Sequence, residues 1–150
     1  MKQIFIKEAT KKDLTKLNAI SLASKSHWNY PASWMESWKE ELRLTTNDFE
    51  IQSIFMICEI DEILGFCAIE EKLFEYEINH FWIKPKAMGN GHGKKLLVYI
   101  LENVVEKKKP ILVVSDPNAK AFYRKFGFII IDHYESKPKG RFLPIMRFSH

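Results

Sequence analysis

The chain of 150 residues reads as an α/β (α+β) protein with the element order β-α-α-β-β-β-α-β-α-β-β. Three observations carry that reading. Two apolar runs, Ile54 to Ile60 and Ile63 to Ile69, flank a tight Asp61-Glu62 turn, and a third run from Leu73 to Ile83 completes a meander. A glycine-rich stretch, Met88-Gly89-Asn90-Gly91-His92-Gly93-Lys94-Lys95-Leu96-Leu97, stands between that third strand and a helical apolar stripe. Beyond the stripe, Ile111 to Val114 is short and wholly apolar, the mark of a buried central strand.

The length suits one domain, residues 1-150, with a sizeable core. A net charge of +4 is mild, and the lysines are scattered apart from Lys107-Lys109. That triplet is expected to close a helix, where cations suit the dipole, so nothing asks for a nucleic-acid partner. No window approaches the roughly eighteen apolar residues of a membrane span. The start, Met1-Lys2-Gln3-Ile4-Phe5, lacks the pattern of a signal peptide. Cys58 and Cys67 sit in apolar strand-like runs and read as buried free thiols rather than a disulfide or a metal pair. A cytoplasmic address follows, and no metal is expected.

Taken in order, residues 3 to 7 form a short strand, and Thr10-Lys-Lys-Asp13 reads as a capping box opening a helix to about Lys25. Leu14, Leu17, Ile20 and Leu22 supply its apolar face. Pro31 suits the first turn of a second helix, along which Trp34, Met35, Trp38 and Leu42 fall at helical spacing. Core packing accounts for Trp34 and Trp38. The loop rings His27, Trp28 and Tyr30 have solvent or a ligand as natural neighbours.

In the third strand of the meander, Glu75, Glu77, Asn79 and Phe81 share one side. Two acids and an amide there are odd for structure alone. Leu96, Leu97, Ile100, Leu101, Val104 and Val105 then mark a long amphipathic helix ending before Pro110. Ser115-Asp116-Pro117-Asn118 offers helix-start chemistry, and Gly127 suits the C-cap of the short helix that follows. Phe128 to Tyr134 and Arg141 to Phe148 are two further strands.

The glycine stretch has the character of an anion cradle. Glycines allow close backbone approach, and the unpaired N–H groups of a first helical turn point at the ligand with roughly half a positive charge behind them. Its spacing excludes two familiar devices. Gly93-Lys94 is followed by Lys95, so the hydroxyl of a P-loop is missing, and position 94 is not the third glycine of a dinucleotide fingerprint.

Two sites in this order of elements resemble the GNAT superfamily of acyl-CoA-dependent N-acyltransferases. Met88-Gly89-Asn90-Gly91-His92-Gly93 matches the family's Gln/Arg-x-x-Gly-x-Gly/Ala loop, with Met88 at the usual Gln/Arg position. Asn118-Ala119-Lys120-Ala121-Phe122-Tyr123-Arg124-Lys125-Phe126-Gly127-Phe128 matches the later family site. The resemblance implies a mixed, mostly antiparallel central sheet flanked by about four helices, splayed near its middle. It further implies acetyl-CoA as cosubstrate, with its pyrophosphate on the amides of Gly89, Asn90, Gly91, His92, Gly93 and Lys94. The backbone of Phe81, Trp82 and Ile83 would pair with the pantetheine arm as an added strand, and Asn118 would bond that arm. Lys94, Lys120 and Arg124 would screen the outer phosphates, or stand as ordinary solvated cations.

The implied reaction is N-acetylation of a primary amine by direct attack in a ternary complex. An amine with a pKa of about 10 costs roughly 4 to 5 kcal/mol to deprotonate at neutral pH, so a base is useful and the leaving thiolate needs an acid. By family position Tyr123 is that acid. Some family members carry a glutamate base on the strand before Asn118, where Ile111 to Val114 cannot titrate. Others carry it on the third meander strand, six residues before the aliphatic Ile83, so the resemblance implies Glu77, with Glu75 and His80 in reserve. Trp28, Tyr30, Trp34 and Glu75 would meet the acceptor, a small-molecule amine or a peptide or protein amine. The alternative is a non-catalytic acyl-CoA-binding sensor or interaction domain. Many family members are dimers, and nothing in the sequence decides for or against a homodimer.

Overall fold

A computed structural model describes residues 3–106 and 108–150. Its centre is one sheet of strands β1 (Ile4–Glu8), β2 (Ser53–Glu59), β3 (Glu62–Glu71), β4 (Tyr76–Ile83), β5 (Ile111–Val114), β6 (Ile129–Glu135) and β7 (Phe142–Phe148). They lie in the order β1-β2-β3-β4-β5-β7-β6. Every neighbouring pair is antiparallel except β4 and β5, which run parallel. The helices are α1 (Leu14–Ser26), α2 (Ala32–Ser37), α3 (Lys39–Leu42), α4 (Asp48–Ile51), α5 (His92–Asn103) and α6 (Lys120–Lys125).

Two apolar layers hold the sheet between helices. On one face α5 inserts Leu96, Leu97 and Ile100 against Ile78, Ile111 and Val113. On the other, Leu17 and Ile20 of α1 pack on Ile54, Met56 and Phe66. Each fully buried aliphatic side chain contributes about 1.5–3 kcal/mol, so these faces fix which way α1 and α5 turn.

Several local expectations need correction. Leu22 is 53% exposed, and α1 instead buries Ser21, Ser24 and Lys25 beside Leu17 and Ile20. That polar face survives burial because its groups have partners: the Ser21 hydroxyl donates to Leu42 O at 3.0 Å and Ser24 to Ile83 O at 2.7 Å. The second helix breaks at Trp38 into α2 and α3, and α4 adds a turn that the apolar pattern does not announce. Its signal is a cap, since the Asp48 carboxylate accepts from Thr45 N–H at 2.7 Å. The first hairpin turns on Ile60 and Asp61, one residue early, with Ile60 at φ +54, a strained value for a β-branched residue. β4 starts at Tyr76, leaving Leu73 and Phe74 exposed in the preceding turn. The stripe helix ends at Asn103 rather than just before Pro110. The lysine triplet therefore does not close it. Lys107 lies outside the described residues, and Lys109 pairs with Glu71 at 2.6 Å.

One feature of the sheet positions everything else. β4 pairs with β3 through to Ile83, but with β5 only where Tyr76, Glu77 and Ile78 meet Ile111, Leu112 and Val113. Beyond Ile78 a bulge at Asn79 accents the strand's twist, and the edge of β4 that faces β5 is left open. Gly65 holds the other edge. A Cβ there would lie 2.4 Å from Trp82 O and 2.5 Å from Ile83 Cδ1. Because the nearer atom is main chain, Gly65→Ala should cost about 1–3 kcal/mol in chemical denaturation and displace the end of β4. An unchanged midpoint would show that β3 and β4 separate there at no cost.

Candidate active site

The open edge of β4 follows from ladder geometry. Lys84 N–H donates to Leu64 O at 2.8 Å, so the antiparallel alternation turns the peptide groups of Trp82 and His80 toward β3. Those of Phe81 and Ile83 therefore point into the gap. Ile83 O is taken by Ser24, which leaves the Phe81 N–H and C=O and the Ile83 N–H as the strand's free hydrogen-bonding groups there. Along this gap runs a cleft of about 690 Å³, a volume within the usual range for small-molecule sites.

At one end of the cleft lies the start of α5. Gly89 and Gly91 adopt φ +82 and +79, and nothing stands within 4 Å of where their Cβ atoms would be. The left-handed backbone, rather than crowding, is what asks for glycine there. Gly91 is the N-cap and carries no side chain to satisfy the first turn. The N–H groups of His92, Gly93 and Lys94 are thus offered to the cleft, which Gly89, Gly91, His92, Gly93 and Lys94 line. Asn90 does not line it; its side-chain amide donates to Ala87 O at 3.3 Å and ties the turn together. Met88 also faces the cleft, from extended backbone.

Tyr123 stands on α6 beneath the middle of the gap, 3% exposed, with the rings of Phe81, Phe122 and Phe128 around it. Its hydroxyl bonds no other described residue, and Tyr123 is one of the residues that line the cleft. Burial pushes the phenol well above its ordinary value, so it stays protonated at neutral pH and remains a proton donor. The α6 helix ends where Gly127 turns at φ +95, and Phe128 N–H donates back to Tyr123 O at 3.2 Å. Cys67, fully buried across from Phe81, has its thiol pushed up by burial and is no nucleophile.

The opposite wall is a buried charge cluster that the sequence did not reveal. Asp116, just after β5, forms an ion pair with Lys25 at the end of α1. Lys25 Nζ sits over the rings of Trp38 at 4.6 Å, Tyr30 at 5.0 Å and Trp82 at 5.9 Å. Arg141 also lies over the ring of Trp38, at 4.5 Å, and its guanidinium lies 3.9 Å from Asp116. Burial opposes the charge on Asp116, but the Lys25 ammonium and the Asn118 donors outweigh it and hold the carboxyl below its ordinary value. Burial draws Lys25 below its own ordinary value even though Asp116 pulls the other way. Nothing in the local sequence marks Lys25 or Arg141, because their partners are distant in the chain; Asp116 read only as helix-start chemistry.

The residues singled out from the sequence thus divide. Phe81, Trp82, Ile83, Asn118 and Tyr123 gather at the cleft with the glycine turn, and Trp28 stands at its mouth, 42% exposed. Tyr30 and Trp34 lie behind the wall, their rings 6.0 Å apart. Glu77 does not join them. It belongs to the segment where β4 and β5 are still paired, and it forms an ion pair with Lys72 at 2.6 Å. Glu75 precedes β4 in the turn and is likewise away from the cleft. His80 does line it, and Trp82 Nε1–H donates to its Nδ1 at 3.1 Å. No described helix is long and apolar enough to cross a membrane.

Comparison with solved structures places this fold among known ones. The chain resembles the PaiA N-acetyltransferase from Thermoplasma acidophilum in complex with coenzyme A, at 18% identity, 99% coverage of both chains and a TM-score of 0.78. It resembles a GCN5-related N-acetyltransferase from Rhodopseudomonas palustris at 15% identity, covering 100% of this chain and 98% of that one, with a TM-score of 0.78. It also resembles the ribosomal-protein-S18-alanine N-acetyltransferase from Escherichia coli, at 16% identity, 97% and 92% coverage and a TM-score of 0.72. No curated protein matches it in sequence. The family model described as an acetyltransferase (GNAT) domain matches residues 51–130, more than half of the chain, and with the split sheet and glycine turn in place the protein belongs to the GNAT acetyltransferase family.

Proposed function

We propose that the protein transfers the acetyl group of acetyl-CoA to a primary amine, on a small molecule or a peptide, by direct attack in a ternary complex. One observation carries the reading: the free edge of β4 leads from the uncapped start of α5 to the Tyr123 hydroxyl along a single cleft. The Thermoplasma relative, which holds coenzyme A, supports the same placement by likeness of fold. In this reading the amides of His92, Gly93 and Lys94 grip the pyrophosphate. Phe81 and Ile83 pair with the pantetheine arm through their free main-chain groups. The amine nitrogen then attacks the thioester carbonyl, the C–S bond breaks, and Tyr123 delivers its proton to the departing sulfur and regains one from water.

The acceptor's own proton needs a different route from the one the sequence suggested. Glu77 is tied to Lys72 outside the cleft, and Asp116 is engaged by Lys25. We assign the proton to water at the cleft mouth. Positioning of the two reactants is worth up to about 7–11 kcal/mol, which exceeds the roughly 4–5 kcal/mol needed to reach the free amine. We place the protein in the cytoplasm, a reading supported by the free thiols of Cys58 and Cys67.

The test is thiol release from acetyl-CoA across a panel of amines. Turnover with at least one primary amine is expected, and Tyr123→Phe should lower kcat about 100-fold while coenzyme A affinity stays within about twofold. Tight coenzyme A binding without thiol release from any amine would replace the enzyme with a sensor. Equal losses of turnover and affinity in the tyrosine variant would make its hydroxyl structural.

A further inference from the structure

Asn118 faces two jobs on its two sides, and its neighbours decide how it is turned. Its side-chain Nδ2 donates to Asp116 Oδ1 at 2.9 Å and to Tyr30 Oη at 2.9 Å. Its backbone N–H donates to the same Asp116 Oδ1 at 2.8 Å. An ionised carboxylate only accepts, so the NH₂ group of Asn118 must face Asp116, and both amide hydrogens are spent on that side. The flip leaves Oδ1 as the group that Asn118 has free to accept a hydrogen bond. The arrangement is over-determined, since Lys25 holds the carboxylate and the Tyr30 hydroxyl donates to both its oxygens at 3.2 Å while accepting from Asn118.

We infer that Asp116 and Tyr30 are positioning residues that lock the Asn118 amide with its carbonyl toward the cofactor, so that it accepts from an amide N–H of the pantetheine arm. The inference rests on the cofactor reading above and adds to it the source of the asparagine's orientation. Lys25, the end of α1 and the loop carrying Tyr30 thereby belong to the cofactor site, although none of them lies on the strand edge or the glycine turn. An asparagine turned the other way would set its NH₂ against an N–H donor of the arm and lose the acceptor.

The discriminating measurement compares two ligands on the intact protein by calorimetry: coenzyme A, and adenosine 3′,5′-bisphosphate, which keeps the nucleotide but has no pantetheine arm. Asp116→Asn replaces the obligate acceptor with a group that no longer dictates the flip. It should weaken coenzyme A about 5- to 10-fold, the worth of one hydrogen bond, and leave the bisphosphate within about twofold. Tyr30→Phe keeps the ion pair intact and should show the same selectivity at about threefold, so it decides the matter if the aspartate variant folds poorly. Equal weakening of both ligands would reduce the cluster to a structural support and overturn the inference. Unchanged coenzyme A affinity in both variants would overturn it as well, leaving the cofactor reading intact. A wild-type protein that binds neither ligand would overturn that reading and this inference together.

Discussion

Replacing Lys25 with methionine should lower the stability of the protein by about 3–5 kcal/mol, a melting temperature drop on the order of 10 °C for a chain of this size. The side chains of Lys25 and Asp116 are 9% and 12% exposed, so the loss leaves a carboxylate in a largely water-free site. Methionine fills similar volume among Tyr30, Trp38 and Trp82, which separates the charge effect from packing. Arg141 at 3.9 Å offsets part of the loss, and for that reason the lower end of the range is the better expectation. Adding Asp116→Asn to the methionine variant should recover stability, because the stranded charge is then gone. Thermal melts of the two single variants and the double variant give the coupling directly. A drop below about 2 °C for the lysine variant alone would mean that water reaches the pair and screens it.

A second large effect concerns acid. His80 lines the cleft with its pKa pulled down to about 4, first by burial, with Asp48 opposing weakly. Its Nδ1 accepts from Trp82 Nε1, a bond that a protonated ring would forfeit by presenting a donor to a donor. An unfolded chain takes up this proton near pH 6.5, whereas the fold waits until about pH 4. Between those values the unfolded state holds more protons, so stability falls as pH drops through that window. The loss attributable to this residue approaches about 3 kcal/mol by pH 4, because each pKa unit between 6.5 and about 4 is worth about 1.4 kcal/mol. Denaturation midpoints of the wild type and His80→Gln at pH 7 and pH 4.5 check it, since carboxylates titrating in both proteins cancel. Parallel losses in the two proteins would show that His80 takes no part in the acid response.

What the sequence made legible follows the range over which its signals act. The glycine turn, the short apolar β5 and the capping of α6 by Gly127 are local, and each element formed as its residues dictate. Composition alone misjudged the ends of elements. Leu73 and Phe74 looked like strand because they are apolar, yet they occupy the turn before β4. The apolar stripe past Asn103 continued a period, but the chain there leaves α5 so that Glu106 N–H reaches the Tyr76 hydroxyl at 2.9 Å. The buried charge cluster was out of reach for a different reason. Lys25 lies at what looked like an ordinary solvated helix end, and only the fold brings Asp116, Trp38 and Arg141 around it. Glu77 differs in the opposite sense: the resemblance implied a base there, while strand pairing at Leu112 and the ion pair with Lys72 hold it outside the lining of the cleft.

The gap between β4 and β5 also divides the protein mechanically. Among the described residues, three ladder pairs join β1–β4 to β5–β7, while the buried cluster under α5 and the Lys25–Asp116 ion pair span the gap with side chains. A sheet joined by so short a ladder has a seam where side-chain packing, not main-chain bonding, holds the two parts together. On the proposed reading, an extended arm in that seam would bond to the lip of β4 and the start of α5 on one side and meet Asn118 on the other. It would thereby add main-chain bonds across a join that side chains otherwise carry, so its binding would also raise the stability of the fold.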